Sequence, residues 1–195
     1  MVIVMKLMFA SDLHGSLYWT RALRAAWERE APDKLILLGD LLYHGPRNDL
    51  PREYDPKGVT AILSEMKEEL LCVRGNCEAE VDQMVLPFPV MADYMVLWLG
   101  DRMAFVTHGH LYNEGALPML KKGDLLIHGH THIPVIREHR EDGYVYLNPG
   151  SVSLPKEGNP NSYMVYDGGR FLIRRLEDGQ EIIAAWRPNP DPTRR

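Results

Sequence analysis

The run Val2-Ile3-Val4-Met5-Lys6-Leu7-Met8-Phe9-Ala10, followed by Ser11-Asp12-Leu13-His14-Gly15-Ser16, decides how the rest of the chain is read. The apolar stretch from Val2 to Ala10 predicts a first strand, and the loop after it feeds a helix whose buried stripe is expected to be Trp19, Leu23, Ala26 and Trp27. This is a strand-loop-helix unit with Asp12 and His14 in the loop. Strand ends that hand over to loops are where catalytic groups collect.

The same unit recurs. A strand over Lys34 to Leu38 enters a loop from Gly39 to Lys57, and the next helix places Val59, Ile62, Leu63, Met66 and Leu70 on one face. A third strand, Leu70 to Val73, ends at Gly75-Asn76. Such alternation implies parallel strands with right-handed crossovers. Beyond Pro87-Phe88-Pro89 the pattern becomes β-rich. Runs at Tyr94 to Leu99 and Met103 to Thr107 form a hairpin through Gly100-Asp101-Arg102, and a short helix is expected over Glu114 to Leu120. Further strands are Leu125 to His128, Val135 to Glu138 with Tyr144 to Leu147, Tyr163 to Tyr166 with Phe171 to Leu176, and Glu181 to Trp186. The expected fold is α/β: two packed sheets flanked by helices, in a single domain over residues 1–187, with a loose tail over 188–195.

Bulk properties narrow the function. With 195 residues, 45% hydrophobic and 25% charged, the chain suits one compact domain. A net charge of −5 supplies no broad basic face, so a nucleic-acid duplex is not an expected partner. The apolar N-terminus is too short for a membrane span or a signal peptide. Two cysteines make no disulfide framework, which points to a reducing cytoplasm. Cys72, in an apolar run, reads as a small core residue, and the four tryptophans read as core or edge packing.

The chemistry lies in five clusters at strand ends: Asp12-Leu13-His14, Gly39-Asp40, Gly75-Asn76, His108-Gly109-His110 and Gly129-His130-Thr131-His132. Taken singly, each has a plain structural reading, such as a helix N-cap for Asp12 or a turn residue for Asp40 and Asn76. Together they spell a two-metal site. Asp12 and His14 reach one ion if the backbone there is extended, and His130 and His132 alternate along an extended stretch, pointing the same way. Carboxylate oxygen, amide oxygen and imidazole nitrogen suit Mn²⁺, Fe²⁺, Ni²⁺ or Zn²⁺ better than Ca²⁺ or Mg²⁺.

This ordered set resembles the calcineurin-like metallophosphoesterase superfamily, over nearly the whole chain. The likeness extends to His44-Gly45-Pro46-Arg47-Asn48, Arg74-Gly75-Asn76-Cys77, Glu80-Val81-Asp82-Gln83-Met84 and Asn148-Pro149-Gly150-Ser151-Val152-Ser153, which resemble the superfamily's small bacterial phosphodiesterases. The resemblance implies a four-layer αββα sandwich of two mixed sheets. It implies one metal on Asp12, His14 and His132, another on Asn76, His108 and His130, and Asp40 bridging both, with two divalent cations, Mn²⁺ first, as cofactor. Metals about 3.5–4 Å apart lower the pKa of a shared water and stabilise phosphoryl charge, so direct attack of a bridging hydroxide on a small phosphodiester is expected.

Many superfamily members follow Gly-Asn with His, whereas this chain has Cys77. A neutral thiol carries no positive charge and is a poorer acid for an alkoxide, which favours diesters over monoesters. Arg47 is a candidate to fork onto a phosphate oxygen and His44 to donate a proton, although Arg47 has Asp49 and Asp55 as alternative partners. His110 is a candidate proton source or a donor behind His108, or else a loop-orienting residue. His128 is expected to pack at its strand end, His139 to face solvent, and Asn148-Pro149-Gly150-Ser151 to form a structural turn near the site. The competing activities are a phosphomonoesterase, a dinucleoside-polyphosphate hydrolase, or a protein-binding scaffold with a vestigial metal site. A homo-oligomer is possible.

Overall fold

A computed structural model describes residues 5–186. The expected strand residues Val2 to Val4 and the expected tail 188–195 lie outside these. In chain order the elements are β1 (Leu7–Ala10), α1 (Leu17–Glu30), β2 (Lys34–Leu37), α2 (Pro56–Glu65), β3 (Leu70–Cys72), α3 (Glu80–Val85), β4 (Tyr94–Leu99), β5 (Arg102–Thr107), β6 (Leu125–Ile127), β7 (Pro134–Glu138), β8 (Val145–Pro149), β9 (Ser162–Asp167), β10 (Arg170–Arg175) and β11 (Glu181–Trp186). They form two mixed sheets, ordered β11-β10-β9-β1-β2-β3 and β4-β5-β6-β8-β7. β1, β2 and β3 run parallel, as the strand-helix alternation requires, and so do β5, β6 and β8.

Alternation along the strands builds the layers. In β1, Leu7 and Phe9 enter the core between the sheets with Ile36, Leu38, Val106, Ile127, Leu147 and Met164, while Met8 and Ala10 face the helices with Leu35 and Leu37. α1 begins at Ser16, whose Oγ accepts the Trp19 N–H, and it buries Thr20, Leu23, Ala26 and Glu30. Trp19 and Trp27 are only half-buried at the margin of that stripe. α2 starts with Pro56 after the Asp55 cap and buries Val59 and Leu63. It ends before Leu70, which opens β3 instead of extending the helical face.

The outer face of the second sheet is covered differently from expectation. No helix forms over Glu114 to Leu120. Asn113 and Ala116 instead exchange backbone hydrogen bonds as an isolated antiparallel bridge, at 3.2 and 3.1 Å, and Pro118, in what would be the helix interior, supplies no N–H. The segment crosses as irregular chain, with Tyr112 and Leu120 packed on Phe105, Leu126, Tyr144 and Tyr146. Conversely, α3 forms where no helix was read, its entry fixed by Asp82 Oδ2 accepting the Ala79 N–H at 2.7 Å. Trp98 is 69% exposed and not packed as expected. His139 is half-buried, stacked on Tyr144 and paired with Glu114. No helix among the described residues is long and apolar enough to cross a membrane.

Candidate metal centre

All five polar clusters converge at the loops after β1, β2, β3, β5 and β6. The backbone that carries them is not extended. Asp12, His14, Asp40, His130 and His132 all have positive φ, between 47° and 64°, a region that residues other than glycine seldom enter. The expectation of extended chain at Asp12–His14 and His130–His132 is therefore corrected. Each left-handed turn costs on the order of 1–3 kcal/mol, so the surroundings must over-determine it.

Those surroundings are visible. The carbonyl oxygen of Asp12 accepts Ser151 Oγ–H at 3.0 Å and Ser153 Oγ–H at 2.9 Å. Asn148, buried at the end of β8, donates through Nδ2 to the Gly129 carbonyl at 2.9 Å and to Thr131 Oγ1 at 3.0 Å, holding the loop of His130 and His132. The segment read as a structural turn thus positions both ends of the site. Gly39, with φ +91°, has no room for a side chain, because an added Cβ would overlap the backbone of Gly75. This contact brings the loop of Asp40 against the loop of Asn76.

A residue the sequence reading passed over locks that contact. Glu78, 4% exposed, accepts Leu41 N–H through Oε1 at 2.7 Å, and through Oε2 it accepts Asp40 N–H at 2.9 Å and the Gly75 N–H. Burial and the neighbouring Asp40 carboxylate push its acid up, against the pull of these three donors. Its position two residues after Asn76 was the available signal, but which donors it meets depends on how its own loop packs against the loop of Asp40.

The side chains fall into two halves. Asp12 Oδ1 lies 3.2 Å from His132 Nε2 and 3.6 Å from His14 Nε2, and the two Nε2 atoms are 3.3 Å apart. In the other half His108 Nε2 lies 3.1 Å from both Asn76 Oδ1 and His130 Nδ1. Asp40 stands between, Oδ2 3.7 Å from His14 Nε2 and Oδ1 3.5 Å from His108 Nε2. His130 and His132, expected to point the same way, turn to opposite halves.

Proton placement explains what the arrangement can hold. The Nδ1–H of His14 donates to the Tyr43 carbonyl at 2.9 Å, that of His108 to Leu38 at 2.6 Å and that of His132 to Leu154 at 2.6 Å. In each neutral ring the proton is committed to backbone, so Nε2 presents a bare lone pair. Lone pairs therefore face lone pairs in both halves, His14 Nε2 against His132 Nε2 at 3.3 Å and His108 Nε2 against Asn76 Oδ1 at 3.1 Å, and buried Asp12 Oδ1 accepts no hydrogen bond. Cations between these atoms would remove that repulsion, and the mixed oxygen and nitrogen set fits divalent ions of the Mn²⁺ to Zn²⁺ class. Burial and the nearby His108 lower His130 to about 4, keeping it neutral. Burial alone would raise Asp12, but His132 and His14 outweigh it and hold the carboxyl well below the usual range. For His14 burial works downward, and Asp12 and Asp40 reverse it, raising the imidazole above 6.5.

A cleft of about 420 Å³ opens onto the two halves. Arg47, Cys77 and Lys156 line it, with Gly45, Asn48 and Thr131. Arg47 forms no ion pair with Asp49, Asp55 or another described residue. Lys156 was missed, since an exposed lysine in a loop carries no signal in a single sequence. Cys77 donates its N–H to Asp40 Oδ1 at 2.9 Å, and its thiol, pushed far up by burial and then by Asp40, stays neutral. The structure does not bring His44 into the cleft lining. Its ring lies edge-on to Tyr43 and Tyr54, with centroids at 4.8 and 5.2 Å. His110 does not line the cleft either. It stands behind His108, centroids 5.4 Å apart, lowered by burial and by His108, with Nδ1 buried and unbonded. His128 packs on Tyr146, as expected of a strand-end residue.

A family model described as the calcineurin-like phosphoesterase superfamily domain matches residues 5–169. The chain belongs to the calcineurin-like phosphoesterase superfamily. It is 46% identical over 187 residues to phosphodiesterase YfcE of Escherichia coli K12, covering 96% of this chain and 100% of that protein. It is 26% identical over 168 residues to the probable metallophosphoesterase YsnB of Bacillus subtilis, covering 83% of each. Among solved structures, the YfcE phosphoesterase from E. coli superposes with a TM-score of 0.90 at 44% identity, over 95% of this chain and 100% of that one. Vps29 from Entamoeba histolytica, at 21% identity and a TM-score of 0.61, covers 95% of this chain and 100% of its own, a likeness of fold. The two-sheet α/β architecture is that of the superfamily, whose members are metallophosphoesterases.

Proposed function

We propose that this protein is a phosphodiesterase dependent on two divalent metal ions, Mn²⁺ first among them, with Zn²⁺, Fe²⁺ and Ni²⁺ accepted by the same donors. The observation that carries this reading is the facing of lone pairs in both halves of the site, His14 Nε2 against His132 Nε2 and His108 Nε2 against Asn76 Oδ1, with Asp40 presenting one oxygen to each half. Asp12, His14 and His132 would hold one cation, Asn76, His108 and His130 the other, and Asp40 both. When bound, two such cations supply positive charge for the phosphoryl oxygens and a hydroxide from water at neutral pH.

The residues of the chain supply the rest. Backbone carbonyls of Tyr43, Leu38 and Leu154 fix the ring orientations of His14, His108 and His132, so the donors need no rearrangement on binding. Arg47 and Lys156 bring positive charge to the cleft wall, where a substrate phosphate oxygen or a second anionic group can reach them. Cys77 faces the same space with a neutral thiol. That thiol brings no positive charge to offset a second negative charge on the reacting phosphorus, which favours a diester over a monoester. The protein relative most similar over its full length among those compared above carries the name phosphodiesterase, in line with this preference.

Hydrolysis of a 4-nitrophenyl phosphodiester and of the matching monoester, with and without chelator, tests the reading. Chelator-sensitive diester cleavage that exceeds monoester cleavage is expected. Full activity in a verified metal-free sample, or a clear preference for the monoester, would contradict it.

A further inference from the structure

β4 closes one side of the five-stranded sheet, and among the described residues it has a neighbour, β5, on one side only. Its six residues, Tyr94-Met95-Val96-Leu97-Trp98-Leu99, are all apolar. Native sheets blunt such edges with charges, proline, bulges or short strands, because an open row of N–H and C=O groups templates pairing with another chain. The other edges are treated in that way. β3 has three residues, β7 begins with Pro134 and ends in Arg137-Glu138, and β11 carries Glu181 and shifts register against β10. β4 runs unbroken against β5 from Tyr94–Thr107 to Leu99–Arg102.

The face of β4 turned away from the core is also uncovered. Tyr94, Val96 and Trp98 are 48%, 45% and 69% exposed. Tyr94 stacks on Phe105 at 4.7 Å, so this stripe continues the apolar cluster that Tyr112 and Leu120 cover, and between those two residues Leu117 and Met119 also point outward. The exposed parts of these five side chains come to roughly 600 Å² per copy, near the about 800 Å² per partner of a stable interface, before any backbone pairing is added. A patch of this size is at the upper end of what a monomer leaves open, and patches that large are commonly functional.

We propose that β4 is the interface with a second copy of this chain, the two strands pairing antiparallel across a two-fold axis into one continuous sheet. The strand is complementary to itself. With the axis at Val96, Tyr94 of each copy lies opposite Trp98 of the other on the outer face, and Met95 lies opposite Leu97 on the core face, so no side chain changes sides. The backbone is ready for it. Leu99–Arg102 closes a two-residue hairpin at Gly100-Asp101, and such a closing pair exchanges both hydrogen bonds, as do Leu97–Ala104 and Met95–Val106 in turn. The N–H and C=O groups of Tyr94, Val96 and Trp98 therefore point away from β5, toward the open edge. A two-fold pairing of this kind is closed and consumes both edges, which a foreign strand would not require.

Sedimentation of the full chain across a dilution series tests this, together with Val96→Pro and Trp98→Lys. The wild type is expected to be a dimer that dissociates on dilution. Proline at 96 removes an outward N–H without touching the β4–β5 ladder, so Val96→Pro should be monomeric with unchanged diesterase rate and melting behaviour. Trp98→Lys places a charge on the edge and should give the same result even if the proline variant does not fold. Backbone amides of Val96 and Trp98 should exchange slowly in the wild type and quickly in Trp98→Lys. A wild type that is monomeric at its highest soluble concentration would overturn self-pairing and leave the strand to a partner of another sequence. A dimer that survives Trp98→Lys, or fast exchange at Val96 in an intact dimer, would place the interface elsewhere.

Discussion

Glu78 Oε2 accepts the backbone N–H of Asp40 at 2.9 Å, while its other oxygen takes the N–H of Leu41 at 2.7 Å. The carboxylate that stands between the two halves of the site is thus held from behind by a second, buried carboxylate. The same Oε2 accepts Gly75 N–H, tying the loop of Asn76 to the loop of Asp40. Glu78 faces neither the cleft nor the candidate cations, so its effect is one of positioning.

Glu78→Gln replaces one accepting oxygen by an NH₂ group that meets backbone N–H donors. Metal affinity and diester turnover should each fall about 10–100-fold, the usual consequence of losing a group that orients a ligand. Metal content measured beside kcat decides the matter. Unchanged metal content with an unchanged rate would remove Glu78 from the account.

Asp40→Asn and His132→Ala should differ in kind. Asp40 presents Oδ2 to His14 and Oδ1 to His108, so its loss should impair both metal positions, whereas His132 adjoins Asp12 and His14 alone. Stoichiometry of bound metal is expected to fall toward zero in Asp40→Asn and toward one in His132→Ala. Two bound ions and a near-normal rate in Asp40→Asn would rule out the bridging role.

Cys77→His should raise monoester cleavage relative to diester cleavage. The position is half-buried and lines the cleft, so an imidazole has open space to enter, and it can carry a positive charge near neutral pH. The ratio of the two kcat/KM values is the readout. Equal loss on both substrates at unchanged metal content would mean that the larger ring crowds the loop and that Arg47 and Lys156 set the preference.

A fourth prediction concerns stability far from the site. Glu30, buried at the end of α1, accepts hydrogen bonds from Lys6 Nζ at 3.0 Å, Tyr163 OH at 2.8 Å and Arg174 Nη1 at 2.6 Å. Burial works to raise its acid, but these partners outweigh burial and lower it below its ordinary 4.5. Its contribution is therefore fully present above the unfolded value and is lost as pH falls through the lower folded one. Glu30→Gln should cost about 1–2 kcal/mol at neutral pH, discounted because Lys6 and Arg174 are partly exposed, and it should flatten the acid limb of the stability profile below about pH 4.5. Denaturant melts at a series of pH values check both.

Much of this was legible because strand ends announce themselves. Asp12, His14, Asp40, Asn76, His108, His130 and His132 each follow an apolar run, and the structure gathers all seven. The turn geometry was not legible, since nothing in Asp12, His14 or His132 marks a non-glycine residue for positive φ; Ser151, Ser153 and Asn148, far along the chain, secure it. Glu78 was invisible for the same reason, two of its three donors, Asp40 and Leu41, coming from another loop. The helix misread at Glu114 to Leu120 came from weighing apolar content above Gly115 and Pro118, which deprive a helix of order and of a donor. His44 was drawn toward the cleft by proximity in sequence, whereas aromatic packing on Tyr43 and Tyr54 holds its ring, and His110 stands behind His108, one of the places read for it.

The central claim is that two cations act together through Asp40, and stepwise reconstitution tests it most directly. Metal-free protein is titrated with Mn²⁺ while bound ion and diester turnover are measured on the same samples. The account predicts saturation at two ions per chain, with turnover absent in the metal-free protein and rising chiefly with the second ion. Full turnover with one ion bound, or with none, would contradict it.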